Sequence, residues 1–503
     1  MQNALQNAAF NGLFIFEMAN NHQGSVAHGR RIIDAMADIA SRHGIRGAVK
    51  FQYRDLDTFI HPDYRERDDV AHIPRFLSTR LTDDDFRTLI EHVRGSGLVP
   101  VVTPFDEASV QKCLDHGVEI IKIASCSATD WPLLEAVAST GKPVIASTGG
   151  VPVHDIDKLV SFFQHRSVRF ALMHCVSIYP TPNDCLQMSF LAKMKSRYPG
   201  VPIGYSGHED PDNREVVVAA IAKGADLLER HVGVATDTIT LNKYSMNPQQ
   251  TDAWVAAALR ARAICGDGGP KQVTEEERES LRSLERGVYA RRPIRAGQPI
   301  EPGDVFFAMP RQPGQLTSGE FGRYRATFHA SRDYAPGEAL TERASDDPVL
   351  DVREALHDAK GMLYEAQIKI GETDQVELSH HYGMERFREV GAVFVHVVNR
   401  EYCKKLGVML PGQRHPVHRH QRKEETFQLL WGDLSVQRDG EVFDLQPGDK
   451  LVIERGMPHA FWSRNGGIFE EISTTDVRGD SLYEDAAINR LDPMQRKTFL
   501  ESW

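Results

Sequence analysis

The sequence predicts an α/β chain, with a TIM barrel at the N-terminus and all-β structure at the C-terminus. Three observations carry this. Eight short apolar or β-branched runs alternate with amphipathic stretches through residues 1–270. Polar side chains gather at the ends of those runs. Beyond residue 285 the helical periodicity gives way to short strands broken by Gly and Pro. Strands alternating with helices imply a parallel sheet. Eight such units in roughly 260 residues imply a closed (β/α)8 barrel, with an open doubly wound sheet as the alternative.

Composition sets the bounds. A chain of 503 residues exceeds a single core and suggests roughly two to four domains. Hydrophobic content of 41% and charged content of 26% are ordinary for globular protein. A net charge of -11 and a pI near 6.0 argue against nucleic acid, because phosphate backbones need a basic surface. No apolar run approaches the ~20 residues that span a bilayer, which argues against a membrane. The opening MQNALQNAAFNG lacks the basic-then-apolar order of a secretory signal. Cysteines stand at Cys113, Cys126, Cys175, Cys185, Cys265 and Cys403 without a CxxC pair. Zinc-ribbon and disulfide-framework readings are therefore poor, and a reducing cytoplasm is expected.

The predicted strands begin at 13-LFIFEMAN, 47-GAVKFQ, 99-VPVVTPFD, 119-EIIKIAS, 143-PVIASTGG, 169-RFALMHCVS, 202-PIGYSGH and 225-ADLLERHV. The stretch 25-SVAHGRRIIDAMADIASRHG between the first two has apolar residues at helical spacing and a Gly stop. Glu17, Lys50, Gln52, Thr103, Lys122, Ser125, Ser147, Thr148, His174, Ser177, Ser206, His208, Glu229 and His231 fall at or just after strand ends, the rim that carries chemistry in barrel enzymes. A lone strand-end lysine is ordinarily a structural ion-pair partner. Two lysines, read as ending adjacent strands among hydroxyls, point instead to an anionic substrate, carboxylate or phosphate. His208 and His231 end consecutive strands and suggest one metal at the barrel mouth, with two core histidines as the alternative.

The stretch 16-FEMANNHQGS resembles the opening of the sialic acid synthase family, the phosphoenolpyruvate-condensing nonulosonate synthases. The runs 49-VKFQ, 103-TPFD, 122-KIAS, 146-ASTGG, 174-HCVSIYPTP, 204-GYSGH and 229-ERHV match that family's remaining motifs in order. The resemblance implies condensation of phosphoenolpyruvate with an N-acetylmannosamine-type aldehyde to a nine-carbon 3-deoxy keto acid and phosphate. By position it implies that Lys50, Lys122, Thr103, Ser125, Ser147 and Ser206 hold the enolpyruvate carboxylate and phosphate. Glu17, Gln52, Ser177 and Tyr179 would face the sugar, and His208 and His231 would bind Mn2+ or Mg2+. Glu229 is the candidate proton-transfer group, the alternative being a carboxylate that orients His231. After the last strand the family's G-P-D-H-like loop is expected, but this chain reads 236-TDTITLNKYSMNP, with Leu241 and Asn242 where Asp and His belong. A deoxygenated or diacetamido acceptor is therefore an open alternative.

Residues 271–284 read as a linker, and 285–345 resemble the small antifreeze-like (SAF) domain that follows the barrel in these synthases. The cue is 290-ARRPIRAGQPIEPGD followed by 309-MPRQPG. The resemblance implies a domain-swapped homodimer in which Arg311 approaches the partner's sugar. Residues 346–395 are expected to connect helically, 396–480 to form a cupin, and 481–503 to trail as a tail. The cupin pattern G-x5-H-x-H-x4-E-x6-G is met by Gly412, His418, His420, Glu425 and Gly432, with His459 in the second half. Strand alternation puts His418 and His420 on one face. With Glu425 and His459 they would form a site for Zn2+, Mn2+, Fe2+ or Ni2+. The same run resembles sugar-isomerase cupins, which leaves catalytic, sensing and scaffolding roles open. Synthases of other 3-deoxy keto acids are a further alternative; they lack the SAF domain.

Overall fold

The computed structural model describes residues 8–269, 271–322, 327–342, 348–371 and 374–501. The expected SAF boundary at residue 345 and the tail's last residues lie outside them. The chain divides into two compact units, 1–271 and 272–503.

All eight predicted strands form. They are β1 (Leu13–Glu17), β2 (Arg46–Tyr53), β3 (Val99–Pro104), β4 (Ile120–Ile123), β5 (Val144–Ser147), β6 (Phe170–Cys175), β7 (Ile203–Gly207) and β8 (Leu228–His231). Each pairs in parallel with the next, and β8 returns to β1 to close the barrel. The main helices between and after them are α1 (Val26–His43), α2 (Asp83–Gly95), α3 (Glu107–Asp115), α4 (Trp131–Ala138), α5 (Val153–His165), α6 (Ser189–Arg197), α7 (Glu215–Ala222) and α8 (Pro248–Cys265). Helix α1 starts where the Ser25 hydroxyl accepts from the His28 amide and stops at Gly44 in the left-handed region. Such an N-cap contributes about 1 kcal/mol, and only Gly enters that C-terminal turn without strain.

Side chains alternate across each strand, and here the alternation separates two cores. Outward residues such as Phe14, Phe16, Phe51, Val102, Leu172 and Tyr205 pack with the helix faces. Inward residues Leu13, Ile15, Ala48, Val101, Ile120, Ile145, Ala171, Met173 and Leu227 form the apolar floor of the barrel. The same inward register continues upward into Glu17, Lys50, Gln52, Thr103, Lys122, Ser147, Cys175, Ser206, Glu229 and His231, so the barrel changes from apolar to polar within two residues of each strand end.

In the second unit, the polar linker contains α9 (Glu275–Arg282), capped by the Thr274 hydroxyl. Strands β9 (Gly287–Ala290) and β10 (Val305–Ala308) pair antiparallel, over a small core that includes Val288, Ile294, Phe328, Tyr334 and Leu340. Helix α10 (Pro348–Glu365) follows. Then come β11 (Gln375–Ser379), β12 (Ala392–Asn399), β13 (Tyr402–Met409), β14 (Arg414–His420), β15 (Glu425–Gly432), β16 (Leu434–Arg438), β17 (Glu441–Leu445), β18 (Lys450–Ile453), β19 (His459–Trp462), β20 (Gly467–Thr474), β21 (Ser481–Tyr483) and β22 (Lys497–Leu500). They make a seven-stranded sheet, β18-β15-β20-β13-β12-β11-β22, and a five-stranded sheet, β17-β16-β19-β14-β21. The core holds Phe394, Phe427, Leu429, Val436, Phe461 and Phe469. The segments expected as connector and tail supply strands to these sheets: β11 and half of β12 lie before residue 396, and β21 and β22 lie after 480.

Candidate functional sites

At the barrel mouth, Glu229 is the hub. Its Oε1 accepts from Lys50 Nζ at 2.7 Å and from the Ser206 hydroxyl at 2.8 Å, with Lys122 Nζ at 3.6 Å. Lys50 also reaches Glu17 Oε2 at 2.5 Å, and Lys122 donates to the Ser147 hydroxyl at 2.5 Å. Lys50 and Lys122 do not end adjacent strands, as the sequence suggested, because β3 lies between β2 and β4. They converge because inward side chains of a closed barrel meet near its axis. All four charged groups are buried. Burial pushes Lys50 down to about 7, helped by the charge of Lys122 and opposed by Glu229. The two lysines in turn hold the Glu229 carboxyl well below its usual range against the opposing effect of burial. The Thr103 hydroxyl and one oxygen each of Glu17 and Glu229 are buried without a hydrogen-bond partner.

Ser125 and Ser177 join this rim through Gly149. The Gly149 amide donates to the Ser125 hydroxyl at 2.9 Å. A Cβ at Gly149 would stand 2.4 Å from the Ser177 hydroxyl and 3.0 Å from that of Ser125, so only glycine admits this approach.

His208 and His231 lie side by side with ring centroids 5.2 Å apart. His208 Nδ1 is 3.2 Å from the Val176 carbonyl. A carbonyl only accepts, so Nδ1 carries the proton and Nε2 keeps its lone pair for a metal. Burial lowers His208 to about 4 and His231 well below its ordinary value, so both are neutral near pH 7, as metal ligands must be. Tyr179 and Tyr244 pack against the pair, Tyr179 at 4.3 Å from the His208 ring and Tyr244 at 5.0 Å from that of His231. In the altered loop, Leu241 sits close to Gly233, and Asp237 is exposed.

His174 leaves the rim. It shares the outward register of Leu172, approaches the Leu186 carbonyl at 2.8 Å and packs on Phe190 of α6. A group that sequence reading missed lies behind the histidines. Arg230 faces outward and donates to Glu209 Oε1 and, at 2.9 Å, to the Glu209 carbonyl, while the Tyr205 hydroxyl donates to Glu209 Oε2 at 2.8 Å. Both charges are fully buried. This triad ties β8 to the segment following β7, the two places that carry the histidines. Its signal in sequence was the strand parity that sends Arg230 away from Glu229 and His231. Arg311 lies in the second unit, where it donates to Glu285 at 2.6 Å and to the Gln315 carbonyl at 3.2 Å.

In the C-terminal sheets, His418, His420, Glu425 and His459 are buried with one ligand atom each within 4.8 Å of the others. His418 Nδ1 is 3.0 Å from the Pro416 carbonyl and His459 Nδ1 3.1 Å from that of Met457. Both rings therefore direct a lone pair from Nε2. His459 Nε2 stands 3.0 Å from Glu425 Oε2, yet neither atom has a hydrogen-bond partner, and His420 Nε2 is equally orphaned. Facing acceptors with no proton between them fit a cation bound among them. Lys423 Nζ holds the other carboxylate oxygen of Glu425 at 2.5 Å. Beyond the tetrad the cavity is lined by Lys405, Lys497, Glu377, Glu471 and Asp476. Lys405 pairs with Asp476 at 2.6 Å, and Lys497 with Glu377 at 2.6 Å. His415 stacks on Phe461 and approaches His381 Nε2 at 2.9 Å, outside the tetrad.

Comparison with known proteins finds relatives of both parts of the chain. The NeuB family model matches residues 36–269, and a cupin domain model matches residues 405–470. The protein MJ1065 of Methanocaldococcus jannaschii, which is uncharacterised, is 30% identical over 305 residues, covering 59% of this chain and 84% of its own. The N-acetylneuraminate-9-phosphate synthase of Drosophila melanogaster is 28% identical, covering 52% of this chain and 71% of its own. A crystal structure from Chromobacterium violaceum, named for spore coat polysaccharide biosynthesis protein E, is 47% identical with a TM-score of 0.64. It covers 65% of this chain and 98% of that one. No helix among the described residues is long and apolar enough to cross a membrane.

Proposed function

Because the chain belongs to the NeuB family of nonulosonic acid synthases, we propose that its barrel condenses phosphoenolpyruvate with an N-acetylmannosamine-type amino sugar. The products are a nine-carbon 3-deoxy keto acid and phosphate. The observation that carries this reading is the rim around Glu229. Two buried lysines and the hydroxyls of Thr103, Ser147 and Ser206 surround one carboxylate beside a neutral histidine pair.

Lys50 and Lys122 hold the carboxylate and phosphate of the enolpyruvate, with Thr103, Ser125, Ser147 and Ser206 donating to their oxygens. Gln52, Ser177 and Tyr179 position the sugar. His208 and His231 are the ligands for Mn2+ or Mg2+; the chemistry such an ion supplies is polarisation of the acceptor aldehyde. The enol π pair of phosphoenolpyruvate forms the new bond from carbon 3 to the aldehyde carbon, the aldehyde oxygen takes a proton to become a hydroxyl, and carbon 2 is left electron-poor. Water adds at carbon 2, and the bond from carbon 2 to the phosphate oxygen then breaks. Negative charge concentrates on the tetrahedral species, where the two lysines stabilise it. Glu17 and Glu229 hold the lysines in place, and Glu229 takes the proton from the adding water.

Residues 285–345 act as the SAF domain of a homodimer. Arg311 reaches the partner's sugar after leaving Glu285. The cupin holds a second divalent ion at His418, His420, Glu425 and His459. Its continuous polar cavity favours a second reading, in which it isomerises or senses a sugar, over a purely structural one. The deciding experiment measures phosphate release from phosphoenolpyruvate with manganese, across N-acetylmannosamine, its deoxy and diacetamido relatives, its 6-phosphate and the corresponding uronate. Release with one of them is expected. Release only with heptulose or octulose precursors, or none from folded protein, overturns the reading.

A further inference from the structure

Lys50 and Gln52 point inward from β2, and Arg54 continues the same alternation one step beyond the strand. The three make a ladder that climbs out of the barrel along one face. The top rung differs from the first. Lys50 is held by two carboxylates, whereas Arg54 has no carboxylate within ion-pair distance among the described residues. Its one hydrogen bond is from Nη2 to Gln52 Oε1 at 3.0 Å, and its Nε is buried without a partner. The guanidinium is sandwiched between Phe105 at 3.6 Å and Phe76 at 4.1 Å. These rings fix its plane and strip its water while leaving its edge free.

That edge faces a small, partly open cleft between the β1 loop and the segment following β2. Asn20, His22, Gln52, Thr79 and Arg80 line it with Arg54, and no Asp or Glu does. Arg80 is already bound to Asp57 at 2.8 Å. His22 is kept neutral by burial, which lowers it to about 4. Among the described residues, Arg54 is therefore the charge without an ion-pair partner in a cleft that opens beside Gln52, the residue assigned to the sugar. A desolvated guanidinium with a free edge suits a planar or tetrahedral anion, which it binds through paired N–H groups.

We propose that Arg54 anchors an anionic group, phosphate or carboxylate, carried by the acceptor sugar at the end remote from its aldehyde. The proposal rests on the synthase reading for the identity of the ligand as the acceptor, but not for the existence of the anion site. Gln52 links the two ends: it holds the guanidinium in place and borders the rim where the aldehyde reacts.

The test titrates the manganese-loaded, phosphoenolpyruvate-bound protein calorimetrically with N-acetylmannosamine, its 6-phosphate and the corresponding uronate. One anionic sugar is expected to bind at least about tenfold more tightly than the neutral parent, the scale of a charge-assisted pair. Arg54→Met, which preserves the apolar stem between the two rings, removes that preference. Arg54→Lys, which keeps the charge but loses the fork, restores part of it. The winning probe tells phosphate from carboxylate. Equal binding of all three sugars by the native protein overturns the proposal, as does an Arg54→Met variant that weakens all three equally. Phosphate release followed in parallel separates the two ideas. Preferential binding without turnover keeps the anion site and removes the synthase assignment, whereas turnover confined to the neutral sugar removes the anion site.

Discussion

The barrel mouth and the C-terminal cavity bury the same charged residue types among different neighbours. The barrel sets two lysines, Lys50 and Lys122, against two glutamates, Glu17 and Glu229, and surrounds them with hydroxyls. The cupin sets three lysines, Lys405, Lys423 and Lys497, against four carboxylates, Glu377, Glu425, Glu471 and Asp476. In the barrel only two histidines stand together, at the open edge. In the cupin three histidines and a carboxylate converge and face one another as acceptors without a proton between them. The first arrangement suits an anion; the second suits a cation. Burial alone does not distinguish a substrate pocket from a metal centre. What surrounds the buried carboxylates does: lysines and hydroxyls in the barrel, converging imidazole nitrogens in the cupin.

The comparison breaks most sharply if the two histidine sets are exchanged in role. His231→Ala is expected to lower phosphate release at least ~1,000-fold, because the acceptor loses its electrophilic activation. His459→Ala is expected to remove one equivalent of bound metal while leaving phosphate release within about twofold, if the cupin tetrad holds a cation of its own as proposed. Metal analysis of both purified variants, beside the release assay, checks this. A large loss of release in His459→Ala alone would move the chemistry to the cupin.

A smaller effect sharpens the barrel side. Lys122→Ala is expected to lower turnover at least ~100-fold by removing a charge partner of the tetrahedral species. Near-normal turnover would reduce Lys122 to a support for Ser147.

The gentlest test is pH. Lys50 sits near 7 rather than near 10, mainly through burial. Its ammonium is the substrate-binding form, present below that value and lost above it. The ratio kcat/KM reports the free enzyme, so it should fall as pH rises through about 7, approaching tenfold per unit. Its linkage to stability has the matching sign. The unfolded lysine keeps its proton up to its ordinary value of 10.5, so between about 7 and 10.5 the unfolded state binds more protons and folding gains stability with rising pH. A flat kcat/KM profile from pH 6 to 9 would show that the neighbouring carboxylates keep Lys50 charged.

Much of the barrel was legible because strand, helix and polar tip recur in a fixed order. Runs such as 13-LFIFE and 144-VIAS announce buried strands, and the polar residue that closes each run announces the mouth. Parity was the limit. His174 and Arg230 also sit at strand ends, but one residue out of phase, and so face the helices. Glu209 was hidden because its partner is distant in sequence and its strand has already ended. The cupin tetrad was readable from the resemblance to the cupin pattern, and the two-residue spacing of His418 and His420 put both on one strand face. Strands β11, β21 and β22 were not, because their pairing is long-range and their local composition is that of connecting chain.

The position of β22 has a practical side. It pairs with β11, as β21 pairs with β14, so the last two strands cover the borders of both C-terminal sheets. A shortened chain ending at residue 480 would leave two rows of backbone donors and acceptors open to any passing strand, the setting in which β-proteins self-associate. An isolated metal-binding domain for spectroscopy should therefore run from before β11 through β22, whatever the reach of the cupin sequence pattern within it.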